Sequence, residues 1–365
     1  MNTFDLIVVG AGIVGAACAD LAAAEGLRVA IVEPGPVGGG ATAASMGHLV
    51  VMDDDPAELA LSRHSQQMWE AYAQLPEAEF SRCGTLWVAR DEREYAGIAA
   101  KIARLTQAGV VAEAVDANAL YELEPELVPG LAGGMLVAAE AVVYPPRVAE
   151  FLVKRATTRN TQLHLGRRVH ALSGDGVVLD GGTRLSGPVL VATGCALPEL
   201  LPMLPLRARK GHLVITDRYP AFVRHQLLEL GYADSAHGSA PTSVAFNVQP
   251  RPTGQVLIGS SREFDSSREV SMATVRSMLE RAFAFLPRLR DLQTLRIWTG
   301  LRPTTPDGRP YLGAVPGLRD VWVAAGHEGL GITTALASAH LVIDQLLGRR
   351  SAIDPAPYLP SRVRA

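Results

Sequence analysis

Cysteines and the common metal-ligand and catalytic-serine motifs are scarce or missing in this sequence. Only three cysteines occur in 365 residues, at Cys18, Cys83 and Cys195, and no two of them form a CxxC pair. This spacing excludes a disulfide framework and offers no motif for an iron–sulfur cluster, so we expect a reducing compartment, the cytoplasm. HExxH motifs, close histidine pairs and GxSxG elbows are absent as well. Neither a metal site nor a serine nucleophile is therefore predicted.

An excess of one charge sign and a long hydrophobic run are also missing. The 34 Lys and Arg residues nearly balance 37 Asp and Glu residues, so no nucleic-acid partner is expected. No stretch approaches the roughly 20 apolar residues of a transmembrane helix. The apolar run at residues 6–24 contains glycines and Asp20 and lacks a preceding basic residue, so it does not resemble a signal peptide. Peripheral attachment at the inner face of the membrane stays open.

What the chain does contain is an alternation of strand and helix patterns. Residues 6–9 are typical of a strand buried on both faces, residues 16–25 of a helix that ends at Gly26, and residues 28–32 of a second strand. Two parallel strands joined by a helix form a βαβ unit. Further helices are predicted at 56–76, 96–108, 146–158 and up to about 347, strands at 85–89, 189–192 and 321–325, and an antiparallel sheet within 213–259.

The turn of the βαβ unit carries a GxGxxG motif at residues 10–15. In this context Gly10 permits the tight turn, Gly12 lets the backbone approach a pyrophosphate, and Gly15 lets the helix pack close to the strand. The N-terminus of the helix offers N–H groups and a partial positive charge to the phosphates. Glu33, at the end of the second strand, is expected to bind the adenosine ribose hydroxyls, and its charge argues against NADP.

Several later segments resemble the D-amino-acid oxidase and glycine oxidase superfamily of FAD-dependent oxidoreductases. They occur in that superfamily's order along nearly the whole chain. They are GGGAT and SMGH at 38–42 and 45–48, VLVATG at 189–194, WTGLRP and DGRPYLG at 298–303 and 307–313, and AGHEGLGIT at 325–333.

The resemblance implies an α/β fold, with a Rossmann-type FAD-binding domain and an interleaved α+β substrate domain built on an antiparallel sheet. The FAD-binding domain is expected at 1–80, 142–204 and 300–365, and the substrate domain at 81–141 and 205–299. The flavin is expected to be noncovalent, with backbone N–H groups of the 327–333 turn near its ring. The expected contacts are Gly10, Gly12, Ile13, Val14, Gly15, Glu33, Pro34, Ala41, Thr42, Met46, Gly47, His48, Val169, Gly194, His327, Glu328, Gly329, Leu330, Gly331, Ile332 and Thr333.

The resemblance also implies the reaction. In this superfamily, an amino acid transfers a hydride from its α-carbon to flavin N5 and becomes an imine, which water hydrolyses. Arg302 is the expected partner of the substrate carboxylate, because its guanidinium is planar and always charged. His48, His327 and Glu328 are further candidates, each with a structural role as the alternative. Arg309 is interpreted as a surface arginine.

Two departures from glycine oxidase bear on the substrate. The pocket tyrosine of glycine oxidase corresponds to Phe246, and its second substrate-contacting arginine corresponds to Gly329, which argues against glycine. The HEGLGIT string is more similar to D-amino-acid dehydrogenases and to the flavin subunit of bacterial hydroxyproline dehydrogenases. D-hydroxyproline or D-proline is therefore the expected substrate. Sarcosine, another amine or a hydroxy acid is the alternative, as is a flavin subunit that is active only in a multi-subunit dehydrogenase.

The sequence leaves the electron acceptor open. If oxygen is not the acceptor, a partner subunit or a membrane quinone must take the electrons, because the chain lacks the cysteines for its own cluster.

Overall fold

Two large sheets organise the chain. The computed structural model describes residues 3–52, 55–231 and 242–363. Its helices and strands, numbered in chain order, are β1 (Leu6–Val9), α1 (Ile13–Ala24), β2 (Val29–Glu33), β3 (His48–Leu49), α2 (Pro56–Trp69), β4 (Thr85–Ala89), α3 (Glu92–Ala96), α4 (Ile98–Gln107), β5 (Glu113–Asp116), α5 (Ala117–Leu123), β6 (Gly133–Val137), β7 (Ala141–Val142), α6 (Pro145–Thr157), β8 (Thr161–Leu165), β9 (Val169–Ser173), β10 (Gly176–Leu179), β11 (Arg184–Ser186), β12 (Val189–Val191), α7 (Leu197–Leu200), β13 (Arg207–Arg218), β14 (Gln226–Glu229), β15 (Thr242–Pro250), β16 (Gln255–Glu263), α8 (Met272–Phe285), β17 (Thr294–Thr304), β18 (Tyr311–Ala314), β19 (Val321–Ala325) and α9 (Gly331–Leu346).

The first sheet contains the N-terminal βαβ unit. It has six strands in the order β18-β19-β12-β1-β2-β8, and only the β18–β19 pair is antiparallel. All four residues of β1 are buried, as expected for a central strand covered on both faces. Helices α1, α6 and α9 pack in one apolar cluster against one face of this sheet. The predicted Rossmann-type α/β architecture is thus confirmed.

The second sheet is predominantly antiparallel. Its eight strands lie in the order β17-β13-β16-β15-β14-β4-β6-β5, with only β14 and β4 parallel. Helix α8 covers one face, where Phe246 of β15 stacks on Phe285 with ring centroids 4.2 Å apart. Its strand β13 begins at Arg207, earlier than the predicted residue 213, and the sheet also includes β4, β5, β6 and β17, which lie outside the predicted range 213–259. The proposed domain boundaries stay a prediction, and the one between residues 299 and 300 falls inside β17.

A short strand pair brings one predicted flavin segment between the large sheets. Strand β3 pairs with β7 in antiparallel register, so that His48 faces Val142. Gly47, just before β3, has φ of +82°, and a Cβ there would lie 2.1 Å from the Val143 carbonyl oxygen. Only glycine therefore allows this approach. No helix in the described ranges is both long and apolar enough to cross a bilayer.

Candidate active site

A cavity of about 420 Å³ is lined by residues of both large sheets. The carboxyl ends of the parallel strands contribute Val9, Val32, Ala192 and Ala325, the edge at which open α/β sheets bind ligands. The lining includes these residues predicted from the sequence: Gly10, Gly12, Ile13, Val14, Glu33, Pro34, Ala41, Thr42, Met46, Gly47, His48, Val169, Gly194, Arg302, His327, Glu328, Gly329, Leu330, Gly331 and Ile332.

The three glycines of the first turn are required for different physical reasons. A Cβ on Gly15 would lie 2.0 Å from the Gly10 carbonyl oxygen, and one on Gly10 would lie 2.6 Å from that of Ala192. Both glycines are thus required by the packing of the protein itself. A Cβ on Gly12 would meet only the Thr42 hydroxyl, at an ordinary 3.4 Å. The protein's own atoms do not explain Gly12, whereas a pyrophosphate held close to the backbone does.

The N-terminus of α1 is open to an anion. Gly12 provides no side-chain cap, and the first turn of the helix contains no acidic residue. Beside it, Thr42 Oγ1 accepts a hydrogen bond from the Ile13 N–H at 3.0 Å. Glu33 accepts from the N–H groups of Ala11 and Gly35, both at 2.8 Å, which fixes its carboxylate at the end of β2. These donors and this acid fit an adenine dinucleotide without a 2′-phosphate.

The last turn before α9 is docked on the end of β17. The Glu328 N–H donates to the Pro303 carbonyl, and His327 forms a bridge with Thr304. Helix α9 begins at Gly331 with neither a side-chain cap nor an acidic residue in its first turn. Thr333, predicted as a flavin contact, is not part of the cavity lining. Its hydroxyl instead donates to the His48 carbonyl and accepts from the Val50 N–H, which ties the β3 segment to α9.

Arg302 lies on β17 and reaches across the neighbouring strand. Its Nη1 donates to the carbonyl oxygen of Ser261 on β16, at 3.0 Å. A Cβ on Gly211 of β13 would lie 2.3 Å from that same Nη1 atom, so the guanidinium occupies the space above this glycine. Sequence reasoning missed Gly211, because its role follows from the pairing of β13 with β17. Arg309 instead pairs with Asp55, with Nη2 to Oδ2 at 2.6 Å, away from the cavity lining.

Three further arginines line the cavity and were not predicted: Arg168, Arg262 and Arg268. Arg262 of β16 is 6% exposed, and its Nε lies 3.4 Å from Glu328 Oε1. Arg209 approaches the same carboxylate oxygen at 3.8 Å. Arg268 joins the lining from the segment after β16. The guanidinium groups of Arg209 and Arg262 thus lie beside the one carboxylate of Glu328, and this local surplus of positive charge favours an anionic ligand.

Both predicted histidines are neutral at neutral pH. Burial, with a smaller contribution from the Arg302 charge, lowers the pKa of His48 to about 4. Burial also lowers the pKa of His327 to about 4, and its Nε2 lies 3.0 Å from the Ser338 hydroxyl. A neutral imidazole can share a hydrogen bond but adds no positive charge to the cavity.

The sequence comparison at Phe246 was wrong about which side chain faces the cavity. Phe246 is fully buried against α8, and the next residue, Asn247, lines the cavity instead. Successive side chains of a strand point to opposite faces, so a register difference of one residue exchanges them. No group of three or more potential metal ligands occurs among the residues that the structure describes.

The chain matches the family model described as "DAO: FAD dependent oxidoreductase" over residues 5–345. It belongs to this family. A glycine oxidase of Pseudomonas aeruginosa is 32% identical, with 98% of each chain covered. A D-amino acid dehydrogenase of Rhizorhabdus wittichii is 30% identical over 74% of this chain and 65% of the relative. The crystal structure of a glycine oxidase from Geobacillus kaustophilus superposes with a TM-score of 0.89 at 26% identity and covers all of both chains.

The family assignment and the site agree on the coarse activity. The protein is an FAD-dependent oxidoreductase that acts on the C–N bond of amino acids or related amines. The N-terminus of α1 and Gly12 would hold the cofactor's diphosphate, and Glu33 would hold its ribose.

Replacing Gly12 and Gly15 by alanine should separate cofactor binding from folding. In the apoprotein, Gly12→Ala should lower the free energy of unfolding by about 1 kcal/mol or less, the cost of a poorer helix cap. Its FAD affinity should fall about tenfold or more, because the methyl group obstructs the phosphates. Gly15→Ala should destabilise the apoprotein by about 1–3 kcal/mol, because the helix must move away from Gly10. Thermal unfolding and FAD titration measure both effects, and unchanged FAD affinity in Gly12→Ala would contradict the assignment.

The stability of the protein should decrease in mild acid. In the unfolded chain, His48 and His327 regain an ordinary pKa of about 6.5, so between about pH 6.5 and 4 the unfolded state binds more protons than the folded state. The free energy of unfolding must then fall as the pH is lowered through this window. Urea unfolding of the apoprotein at about pH 7.5 and about pH 5 tests this. Equal or greater stability at the lower pH would show that these imidazoles are not held neutral.

Proposed function

We propose that the protein oxidises the bond between the α-carbon and nitrogen of a small amino acid, with D-hydroxyproline or D-proline as substrate. The observation that carries this proposal is the Arg302 guanidinium, which lines the same cavity as the glycine turn of α1. An anion-binding group thus faces the space that would hold the cofactor.

Arg302 is suited to bind the substrate carboxylate. The Ser261 carbonyl fixes one edge of its guanidinium, and Gly211 leaves the space that it fills. A charge-assisted hydrogen bond of this kind contributes about 1.5–3 kcal/mol. Such a fixed partner would orient the α-carbon with respect to the cofactor site.

Other charges of the chain would attract and hold the anion. Arg262 and Arg268 line the cavity near Arg302, while the two nearby histidines are neutral and Glu328 is paired with Arg262. FAD, when bound, accepts the two electrons that the substrate loses as it becomes an imine. The N-terminus of α9, which has no acidic residue in its first turn, would place a partial positive charge at the cofactor site.

The choice of a cyclic D-amino acid has two supports. One is the similarity to a D-amino acid dehydrogenase, together with the resemblance of the HEGLGIT segment described above. The other is the apolar lining by Met46, Leu213 and Leu228, which suits the methylene groups of a ring. Glycine, the substrate named for other relatives, would leave this apolar surface uncovered. For the case in which oxygen is not the acceptor, we further propose that a partner subunit or a quinone takes the electrons.

A substrate panel tests this function. The purified holoenzyme would be mixed anaerobically with D-proline, cis-4-hydroxy-D-proline, L-proline, glycine, sarcosine and D-lactate, and flavin bleaching would be followed. The D-proline compounds should bleach the flavin fastest. Faster bleaching by glycine, sarcosine or D-lactate would replace the proposed substrate, and bleaching only after other subunits are added would assign the chain to a complex.

Replacing Arg302 by methionine should remove the carboxylate anchor. The KM for the bleaching substrate should rise about 10–150-fold, in line with a loss of about 1.5–3 kcal/mol, while flavin content stays unchanged. Arg296→Met is the matched control, because Arg296 is an exposed residue of the same strand. A loss of flavin with an unchanged KM would assign Arg302 to the cofactor instead.

A methyl group on Gly211 should weaken substrate binding by displacing the Arg302 guanidinium. Since it would overlap the guanidinium, Gly211→Ala should raise the same KM about tenfold or more and leave the FAD affinity near that of the wild type. Gly174→Ala is the control, because a Cβ at this exposed turn has no atom within 4 Å. An unchanged KM in Gly211→Ala would mean that the arginine does not need this position.

A further inference from the structure

Asn247 presents a buried hydrogen-bond acceptor to the cavity. The residue lies on β15, is 3% exposed and lines the cavity. Its Oδ1 has no hydrogen-bond partner within the described part of the chain. Buried polar atoms in folded proteins nearly always have a partner, and an acceptor without one is destabilising. The position therefore calls for a donor that arrives with a ligand.

Apolar side chains lie beside Asn247. Leu228 and Gly259 are its neighbours on the two adjacent strands. A Cβ on Gly259 would lie 2.9 Å from a methyl group of Leu213 and 3.0 Å from the Met46 sulfur, so these two side chains cover that glycine. A buried acceptor beside apolar side chains discriminates between ligands, because a ligand without a donor leaves the acceptor unpaired.

The register of the sheet fixes where this acceptor lies relative to the carboxylate anchor. Asn247 pairs with Gly259, and Ser261, which holds Arg302, follows two residues later on the same strand. Neighbouring strands of a sheet lie about 4.8 Å apart, so Asn247 lies near the carbonyl that holds Arg302. This proximity suits a small molecule that carries both a carboxylate and a hydrogen-bond donor.

The charges of the cavity determine the kind of donor. Arg262 and Arg302 line the cavity on the same side, so a cationic side chain would be repelled. An amide oxygen beside Leu228 pairs well with a neutral donor, and a hydroxyl group is a small neutral donor.

We propose that Asn247 is a specificity-determining residue that accepts a hydrogen bond from a hydroxyl group on the substrate side chain. The inference rests on the proposed function and narrows it, because it favours the hydroxylated amino acid over the plain one. The α-amino group is then left to other residues of the cavity.

The test compares cis-4-hydroxy-D-proline with D-proline in the wild type and in Asn247→Leu. Leucine has nearly the same size but no acceptor. In the wild type, kcat/KM should be about tenfold or more higher for the hydroxylated compound, and Asn247→Leu should bring the ratio close to one. Dissociation constants for the prereduced holoenzyme, which binds the compounds without oxidising them, should show the same change in ratio.

Matched variants keep the test decisive if Asn247→Leu folds poorly. Asn247→Gln retains an amide acceptor and should keep part of the preference. Leu228→Met changes a neighbouring lining residue without altering an acceptor, so both substrates should respond in parallel. Thermal midpoints and flavin content identify any variant that has lost its fold.

The outcomes separate this inference from the function on which it rests. If both compounds bind and Asn247→Leu weakens the binding of both equally, Asn247 contacts the shared α-amino group or has only a structural role. In that case this inference is overturned and the proposed function is not. If neither compound binds to the wild type, the proposed substrate class fails and the inference fails with it.

Discussion

A helix packed directly on the main chain of a strand is the constraint on which the cofactor half of the molecule depends. The start of α1 can approach β1 only because Gly15 leaves room for the Gly10 carbonyl and Gly10 leaves room for that of Ala192. This approach sets the open N–H groups of the helix at the carboxyl edge of the first sheet. Glu33 and Thr42 then fasten the adjoining turns to the same point. Any side chain that separates helix and strand would move all of these donors together.

The substrate half is built by a different principle. Four neighbouring strands of one sheet each contribute a residue to this part of the cavity: Arg302, Gly211, Arg262 and Asn247. Three of these residues supply a polar side chain, and Gly211 supplies the space that the Arg302 guanidinium fills. The guanidinium of Arg302 donates a hydrogen bond to the main-chain carbonyl oxygen of Ser261. This contact orients the guanidinium, and the proposed substrate carboxylate would add an ion pair to it.

The contrast explains how much of the site could be predicted from the sequence. The glycine turn and Glu33 form one local unit whose spacing is set by a single strand, turn and helix, so their pattern is visible in 24 consecutive residues, from 10 to 33. Arg302 was proposed from a resemblance in its own short segment. Gly211, Arg262 and Asn247 meet only through the pairing of β13, β16, β15 and β17. Nothing local in the sequence specifies that pairing, and the one-residue error at Phe246 shows how register decides which side chain faces the cavity.

The same division bears on how specificity can change in this fold. The cofactor turn is constrained by main-chain contacts, and an added side chain at Gly10 or Gly15 requires the backbone to move. The sheet above the cavity is supported from its other face by the Phe246–Phe285 stack and α8, so its backbone does not rely on the side chains that face the ligand. A lining residue such as Leu228 or Asn247 can therefore be exchanged with little effect on the cofactor cradle. On the proposed assignment, Arg302 and Asn247 act on the substrate from the second sheet, while the glycine turn and Glu33 hold the cofactor from the first, so substrate choice can change without altering that turn.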